Sequence, residues 1–426
     1  MKNLMTTIAF CALVVLAQAQ AERCATMSHW NQKALTNPEV QNRMSQTEQM
    51  TQFWLENHPN DLKKNGHTKS AAQVTIPVVV HVLWNDPMEN VSDAQIQSQI
   101  DVLNEDFRLL NADSLDPSHP FWVHTADTEI EFCLASVDPN GNPTNGITRT
   151  YTDVVEFDGN GDEKFTASGG RDNWDPTEYL NIWVCNLGAS GGTLGYAAFP
   201  SDLATDPELD GVVIRYEAFG DIGTAGTGGF DANDLGRTAT HEVGHWLNLR
   251  HIWGDDFCGD DFVDDTEVAE AANYGCPNFP HNANNQCGSG QDGEMYMNYM
   301  DYVDDYCMNM FTYEQALRMY AALNTDRSGL LNSMGCNNSS NLQESQNEFK
   351  FDVQPNPSNG LVTVSSSQNT SVTPVVYNLV GAEVKRLNTV SQFPFTLDLS
   401  DLPNGIYYLN CINPKVSIAK RIIISN

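Results

Sequence analysis

The sequence predicts a layered α/β core followed by a small all-β module, and three observations carry that prediction. Val74 to Trp84 is a β-branched, apolar run of the kind that forms a buried strand. Just after it, Ser92 is placed to cap an amphipathic helix in which Ile96, Ile100, Leu103 and Phe107 recur at helical spacing. The last stretch, Phe349 to Asn426, instead alternates short β-rich runs with turns such as Pro355-Asn356-Pro357 and Pro403-Asn404-Gly405.

In chain order, Met1-Lys2-Asn3, an apolar run from Leu4 to Leu16 and Ala17-Gln18-Ala19 have the three-part layout of a secretory signal peptide over residues 1–19. The run is shorter than the ~20 apolar residues a bilayer span needs. No comparable run follows, so an exported chain without a transmembrane anchor is expected. Residues 20–70 are polar, rich in Gln and Asn, with a helical stretch from Val40 to Leu55, and read as a propeptide. The core is expected over 71–336, with further strands at Glu129 to Val137, Tyr179 to Leu187 and Gly211 to Tyr216. Strands mixed with long helices point to a layered α/β domain built on a twisted mixed sheet. A Gly-rich stretch, Gly220 to Gly229, precedes a helix expected to begin near Asp231 or Asn233, both capable N-caps. The Asn/Ser-rich residues 337–348 have almost nothing to bury and read as a linker to the β-module at 349–426.

Composition narrows the function. With 426 residues the chain has room for about two or three domains. A formal charge of −33 disfavours a polyanionic partner such as nucleic acid. The acid is clustered, with six Asp in the eleven residues Asp255 to Asp265, where a bound hard cation would relieve the repulsion. Of the ten cysteines, Cys11 lies in the leader, and in an exported chain most of the rest should be disulfide-bonded. Cys258, Cys276, Cys287 and Cys307 read as two local staples of one loop-rich segment, while Cys133 and Cys185, both on predicted strands, are an attractive pair.

The chemistry is carried by His241-Glu242-Val243-Gly244-His245, followed six residues later by His251. Residues four apart on a helix are separated by about 400° of rotation, so His241 and His245 project from one face and can share a metal. Glu242 is turned only ~100° from His241, which sets its carboxylate beside the metal's open position. His251 cannot lie on the same face, so the helix must end first. Asn248 is the expected breaker, because Asn tolerates positive φ. Three neutral imidazoles with one open position suit catalytic zinc, with Glu242 as general base for the attacking water.

Tyr296-Met297-Asn298-Tyr299-Met300-Asp301-Tyr302 is where the sequence comes to resemble the metzincin metallopeptidases. Within them it looks most like the pappalysin family and its cytophagalysin-like members, through His241 to His251, Ile252-Trp253-Gly254-Asp255, Asn298 to Tyr302 and the four-cysteine spacing. One departure is Asn248, where the usual motif has Gly. The resemblance implies a metzincin-type catalytic domain with Met300 as a hydrophobic floor under the histidines and Tyr302 as oxyanion holder. Met297 is the competing floor residue. The resemblance also implies disulfides Cys258–Cys287 and Cys276–Cys307, and structural calcium with Asp264, Asp265 and Thr266 as candidates. Arg23-Cys24 resembles a cysteine switch, in which Cys24 would be the zinc ligand of a latent form; an ordinary disulfide half is the other reading.

Protein or peptide substrates are expected to bind extended along a sheet edge resembling Gly192 to Ala197. Asp305 or Tyr306 would then shape the pocket after the scissile bond. Asp158-Gly159-Asn160-Gly161-Asp162 alternates oxygen ligands but lacks the later Glu of a calcium loop, so a turn is expected. The C-terminal module resembles the type A sorting domain of the type IX secretion system, through Pro355-Asn356-Pro357, Leu402 to Tyr407 and Lys420 to Ile424. That likeness implies passage through the periplasm to the cell surface or medium by the type IX machinery. Two function classes follow: a secreted zinc endopeptidase, and a non-catalytic surface adhesin retaining a zinc site. Glu242 and Tyr302 favour the first, since an adhesin needs no general base.

Overall fold

The computed structural model describes residues 23–58, 73–188, 192–336, 351–366, 371–378, 383–413 and 416–425. The leader expected at 1–19 and the linker at 337–348 lie outside the described residues, as does part of 20–70. The chain divides into two compact units, Met1–Asn338 and Ser339–Asn426.

The first unit opens with α1 (Thr26–Thr36) and α2 (Pro38–Asn57), the latter capped by Asn37, whose side chain accepts from the Glu39 amide. β1 (Val74–Trp84) is buried along nearly its whole length because strands flank it on both sides. α3 (Asp93–Phe107) follows, with Ser92 accepting from the Gln95 amide as its cap. β2 (Ile130–Leu134), β3 (Ile147–Tyr151) and β4 (Leu180–Cys185) all pair with β1 in parallel. β5 (Gly195–Ala197) pairs antiparallel with β6 (Val212–Arg215), which is itself parallel to β4. The sheet is therefore mixed, in the order β2-β1-β4-β6-β5, and β5 ends it. β3 has no counterpart in the sequence reading, because Ile147 to Tyr151 is a half-buried run with two apolar residues only.

α4 (Arg237–Trp246) and α5 (Tyr313–Asn324) complete this unit, α5 beginning with a capping box between Thr312 and Gln315. The apolar face of α3 packs with Val78, Val80, Ile130 and Phe132 of the sheet and with Val243 and Trp246 of α4. One core thus lies between the sheet and the helices.

The disulfides are Cys258–Cys287, Cys276–Cys307 and Cys133–Cys336. The attractive pairing of Cys133 with Cys185 is therefore corrected: Cys185 is a buried free thiol. β1 lies between β2 and β4, and along it Cys133 is level with Pro77 whereas Cys185 follows Val184, the partner of Val82, so the two are two strand spacings apart sideways and about 20 Å apart lengthwise, beyond disulfide reach.

The second unit is all-β. β7 (Asp352–Gln354), β8 (Leu361–Ser365), β9 (Thr373–Asn378), β10 (Glu383–Arg386), β11 (Phe395–Asp398), β12 (Gly405–Asn413) and β13 (Val416–Ile424) form sheets of order β10-β9-β12-β13 and β11-β8-β7. β8 alternates exposed and buried residues, and its Val362 and Val364 meet Val376, Leu397 and Leu409 in a separate core.

Candidate active site

α4 is wholly buried, and it starts at Arg237 rather than at Asp231 or Asn233. The reason is tertiary. Gly236 takes φ +74°, and the acceptor that an N-cap side chain would supply comes from Asp305, whose carboxylate accepts from the Leu235 and Arg237 amides at 3.0 and 3.2 Å. Burial raises the Asp305 carboxyl to about 6. The Asn233 side chain is itself turned to Asp305, at 3.4 Å.

His241 and His245 project from one face of α4, with their Nε2 atoms 3.1 Å apart. The helix ends at Trp246, and Asn248 takes φ +74°. That reversal returns the chain so that His251 Nε2 lies 3.0 Å from His245 Nε2. The Nδ1 atoms face outward: His241 to the Tyr299 carbonyl at 2.7 Å, His245 to the Leu249 carbonyl at 2.8 Å, and His251 to Asp255 Oδ1 at 2.5 Å. Each partner is an acceptor, so each Nδ1 carries the proton and each Nε2 presents a lone pair to the common centre. All three rings are buried. Burial first, then the His251 charge, lowers His241 to about 3, and the same causes hold His245 well below its usual value. Nε2 lone pairs converging at hydrogen-bond distance repel one another unless a cation sits among them. The donor set therefore fits a divalent metal of zinc's preference.

Glu242 is fully buried beside this centre, its Oε2 accepting from Thr26 Oγ1 at 2.9 Å and lying 3.4 Å from Cys24 Sγ. Cys24 Sγ and the three histidine nitrogens all lie within 4.8 Å of one another. Burial and then the Glu242 charge push the Cys24 thiol well above its usual range; a cation at the centre would act in the opposite direction.

Below the histidines, a Cβ added to Gly244 would lie 2.5 Å from Met300 Sδ, so Met300 packs directly on the helix backbone. Met297 is also buried, and its carbonyl accepts from the Asn309 amide. The Tyr302 ring is 4.9 Å from His251, and its hydroxyl donates to the Cys24 carbonyl at 3.1 Å. Trp253 stacks on the outer face of His251 at 4.3 Å.

The segment Arg23 to Ala25 lies along the free edge of β5, parallel to it: the Leu194 amide donates to the Arg23 carbonyl at 2.7 Å and the Ala25 amide to the Gly195 carbonyl at 3.1 Å. The Arg23 guanidinium reaches the Val303 carbonyl at 3.2 Å and Asp304 Oδ1 at 3.0 Å. The residue meeting this guanidinium is thus Asp304, while Asp305 caps α4 and Tyr306 is 60% exposed.

A layer behind the site ties it to α3. Asp106 accepts from Thr240 Oγ1 and from the Tyr299 hydroxyl, both at 2.7 Å, joining the turn before His241 to the segment whose carbonyl orients that ring. Burial raises Asp106 to about 6. Among residues missed in the sequence, Asp255 was detectable at four positions after His251. Thr26, Asp106 and Asp304 carry no local signal.

In the acidic loop, the Asp264 amide donates to Glu314 Oε2 at 2.9 Å, Asp265 Oδ2 accepts from the Glu314 amide at 3.1 Å, and Thr266 Oγ1 donates to Asp261 Oδ2 at 2.8 Å. Asp158 to Asp162 forms a turn in which the Asp162 amide donates to Asn160 Oδ1 at 3.0 Å and Gly159 and Gly161 take positive φ.

Residues 164–324 match the family described as pregnancy-associated plasma protein-A, and residues 352–425 match a secretion system C-terminal sorting domain. An extracellular metalloprotease of Arthroderma otae is 31% identical over 263 residues, 61% of this chain and 81% of its own. One of Pyricularia oryzae is 32% identical over 265 residues, 60% of this chain and 77% of its own. Among solved structures, a Tannerella forsythia promirolysin mutant has 44% identity and a TM-score of 0.64, covering 73% of this chain and 97% of its own. Tannerella forsythia mature mirolysin in complex with a cleaved peptide has 49% identity and a TM-score of 0.58, covering 62% and 97%. The fold and these relatives define a metalloendopeptidase, secreted or at the cell surface. The chain belongs to the pregnancy-associated plasma protein-A family, the pappalysin-type metallopeptidases, and carries a C-terminal sorting domain of the type IX secretion system.

Proposed function

We propose that this chain is exported as a latent precursor and, once processed, hydrolyses peptide bonds of extracellular proteins with a zinc ion held by His241, His245 and His251. The observation that carries the reading is the outward anchoring of all three Nδ1 atoms, which leaves three Nε2 lone pairs facing one point beside a buried carboxylate. When bound there, zinc supplies Lewis acidity that makes water available as a nucleophile near neutral pH and polarises the peptide carbonyl. Glu242 accepts the proton of the attacking water and delivers it to the leaving amine. The Tyr302 hydroxyl donates a hydrogen bond to the developing oxyanion once the Cys24 carbonyl has left it. Met300 keeps the floor of the site apolar and the rings upright.

Latency would follow from residues 20–70 acting as a propeptide. Cys24, whose Sγ lies with the three histidine nitrogens, would be a further ligand of the ion, Thr26 engages Glu242, and Arg23 to Ala25 fill the sheet edge that an extended substrate needs. The pro-form relative matches more of this chain than the mature one, 73% against 62%, which supports the same reading. Residues 1–19 and 349–426 serve export through the type IX machinery, after which the sorting module can be removed. Calcium in the loop containing Asp264, Asp265 and Thr266 would neutralise part of its charge. The mechanism is tested by Glu242→Ala in the processed chain: zinc should remain stoichiometric while casein or gelatin cleavage disappears. Unchanged cleavage would eliminate Glu242 as the base.

A further inference from the structure

A cavity of about 450 Å³ lies between α1 and the end of the sheet. Lys164, Tyr196, Asp202 and Leu209 line it from the body of the unit, His29 and Lys33 from α1. Its position relative to the candidate site is set by the segment on β5. From Cys24, Arg23 runs toward Asp304, whereas Thr26 runs the other way, its hydroxyl taking the Ala197 amide at 2.8 Å. The cavity therefore opens on the side of the metal centre opposite Asp304. By the expectation drawn from the sequence, residues after the Met300 turn, among which Asp304 meets the Arg23 guanidinium, face the part of a substrate that follows the scissile bond. The cavity then faces the part that precedes it.

The wall does not depend on α1. Lys164 Nζ donates to the Leu209 carbonyl at 2.6 Å and sits 4.7 Å from the Tyr196 ring centre and 5.1 Å from that of Trp183. The Tyr196 hydroxyl donates to Glu163. Released from α1, this wall keeps its hydrogen bonds.

What the wall accepts is legible from what occupies it. The His29 ring meets the Tyr196 ring edge-on, 4.4 Å between centroids at 81°. Burial, then the Lys164 and Lys33 charges, lower His29 to about 4, so the guest is a neutral aromatic ring. Entering that place would strip a charged side chain of its water, and the opposed charges of Lys164 on one side and Glu163 and Asp202 on the other already offset one another, leaving neither sign a free partner.

We propose that this cavity is a substrate pocket for a side chain preceding the scissile bond, that it takes an uncharged aromatic ring against Tyr196, and that His29 holds the place in the precursor. The inference rests on the proposed function. Processed enzyme is given peptides identical except at one position, scanned from two to four residues before the cleaved bond. An aromatic residue at one of these positions should raise kcat/KM about tenfold over Ala, with no gain for Asp or Lys. Tyr196→Ala should bring the aromatic-to-alanine ratio near one, and Tyr196→Phe should retain it. Should Tyr196→Ala not fold, Lys164→Met supplies the test, since it should admit Lys at the same position while keeping the aromatic gain. Equal kcat/KM for all residues at every scanned position, a gain surviving Tyr196→Ala, or Lys still refused by Lys164→Met overturns the pocket while leaving the protease reading intact. A processed chain that cleaves none of the peptides overturns both.

Discussion

Removing the Asp210 carboxylate should destabilise the catalytic unit far more than a typical substitution. Asp210 and Arg327 form an ion pair at 2.7 Å in which both side chains are 0% exposed. Arg327 also donates through Nε to the Trp246 carbonyl at 2.7 Å, at the last residue of α4, and its guanidinium lies 4.0 Å over the Trp246 ring. Asp210 Oδ2 in turn accepts from the Trp246 indole at 3.0 Å. With no water to screen either group, Asp210→Ala leaves a buried guanidinium uncompensated, a loss of about 3–5 kcal/mol, and orphans the indole N–H as well. At roughly 2–4 °C per kcal/mol for a domain of this size, the melting temperature should fall by about 6–20 °C. Thermal unfolding followed by tryptophan fluorescence reads this directly. Replacing both partners, Asp210→Leu with Arg327→Met, should recover a large part of the loss, because the penalty comes from the unpaired charge. A shift below about 2 °C for Asp210→Ala, or a double variant no better than the single, would refute the reasoning.

Further outcomes concern the site and the acidic loop. Cys24→Ala should yield premature caseinolytic activity in the unprocessed chain, and an equally latent precursor would count against a thiolate lock. Tyr302→Phe should lower kcat about 10²–10³-fold with little change in KM if its hydroxyl serves the oxyanion; a kcat within threefold of the parent would remove it from that role. Burial raises Asp261 to about 7, above the ~3.9 of an unfolded chain, so its contribution to stability is full below pH ~4 and is lost as pH rises through 7. In metal-free protein, Asp261→Asn should therefore flatten the fall in melting temperature between pH 5 and 8. Calcium should reverse that fall in the parent chain, and a calcium-selective chelator that leaves the parent's melting temperature untouched would show the loop to be merely solvated.

Much of the site was legible because it is local. The spacing of His241, Glu242 and His245 follows from 3.6 residues per turn, and the helix end follows from the need to bring His251 back, for which Asn248 is conformationally suited. β1 and α3 were readable for the same reason, since a β-branched run and an apolar stripe with a Ser cap specify backbone within a few residues. Where the reading went astray, the deciding partner was remote. α4 begins at Arg237 because Asp305, 68 residues away, supplies its cap acceptors. Cys133 pairs with Cys336, 203 residues on, because β1 separates it from Cys185. Thr26 reaches Glu242 across 216 positions and Asp106 reaches Tyr299 across 193, with no periodicity to announce either contact. Hydrogen-bonded helix geometry constrains neighbours along the chain, so it is written in spacing. Which buried acceptor, thiol or ring meets which partner depends on how the sheet and helices close on one another, and the folded core alone decides that.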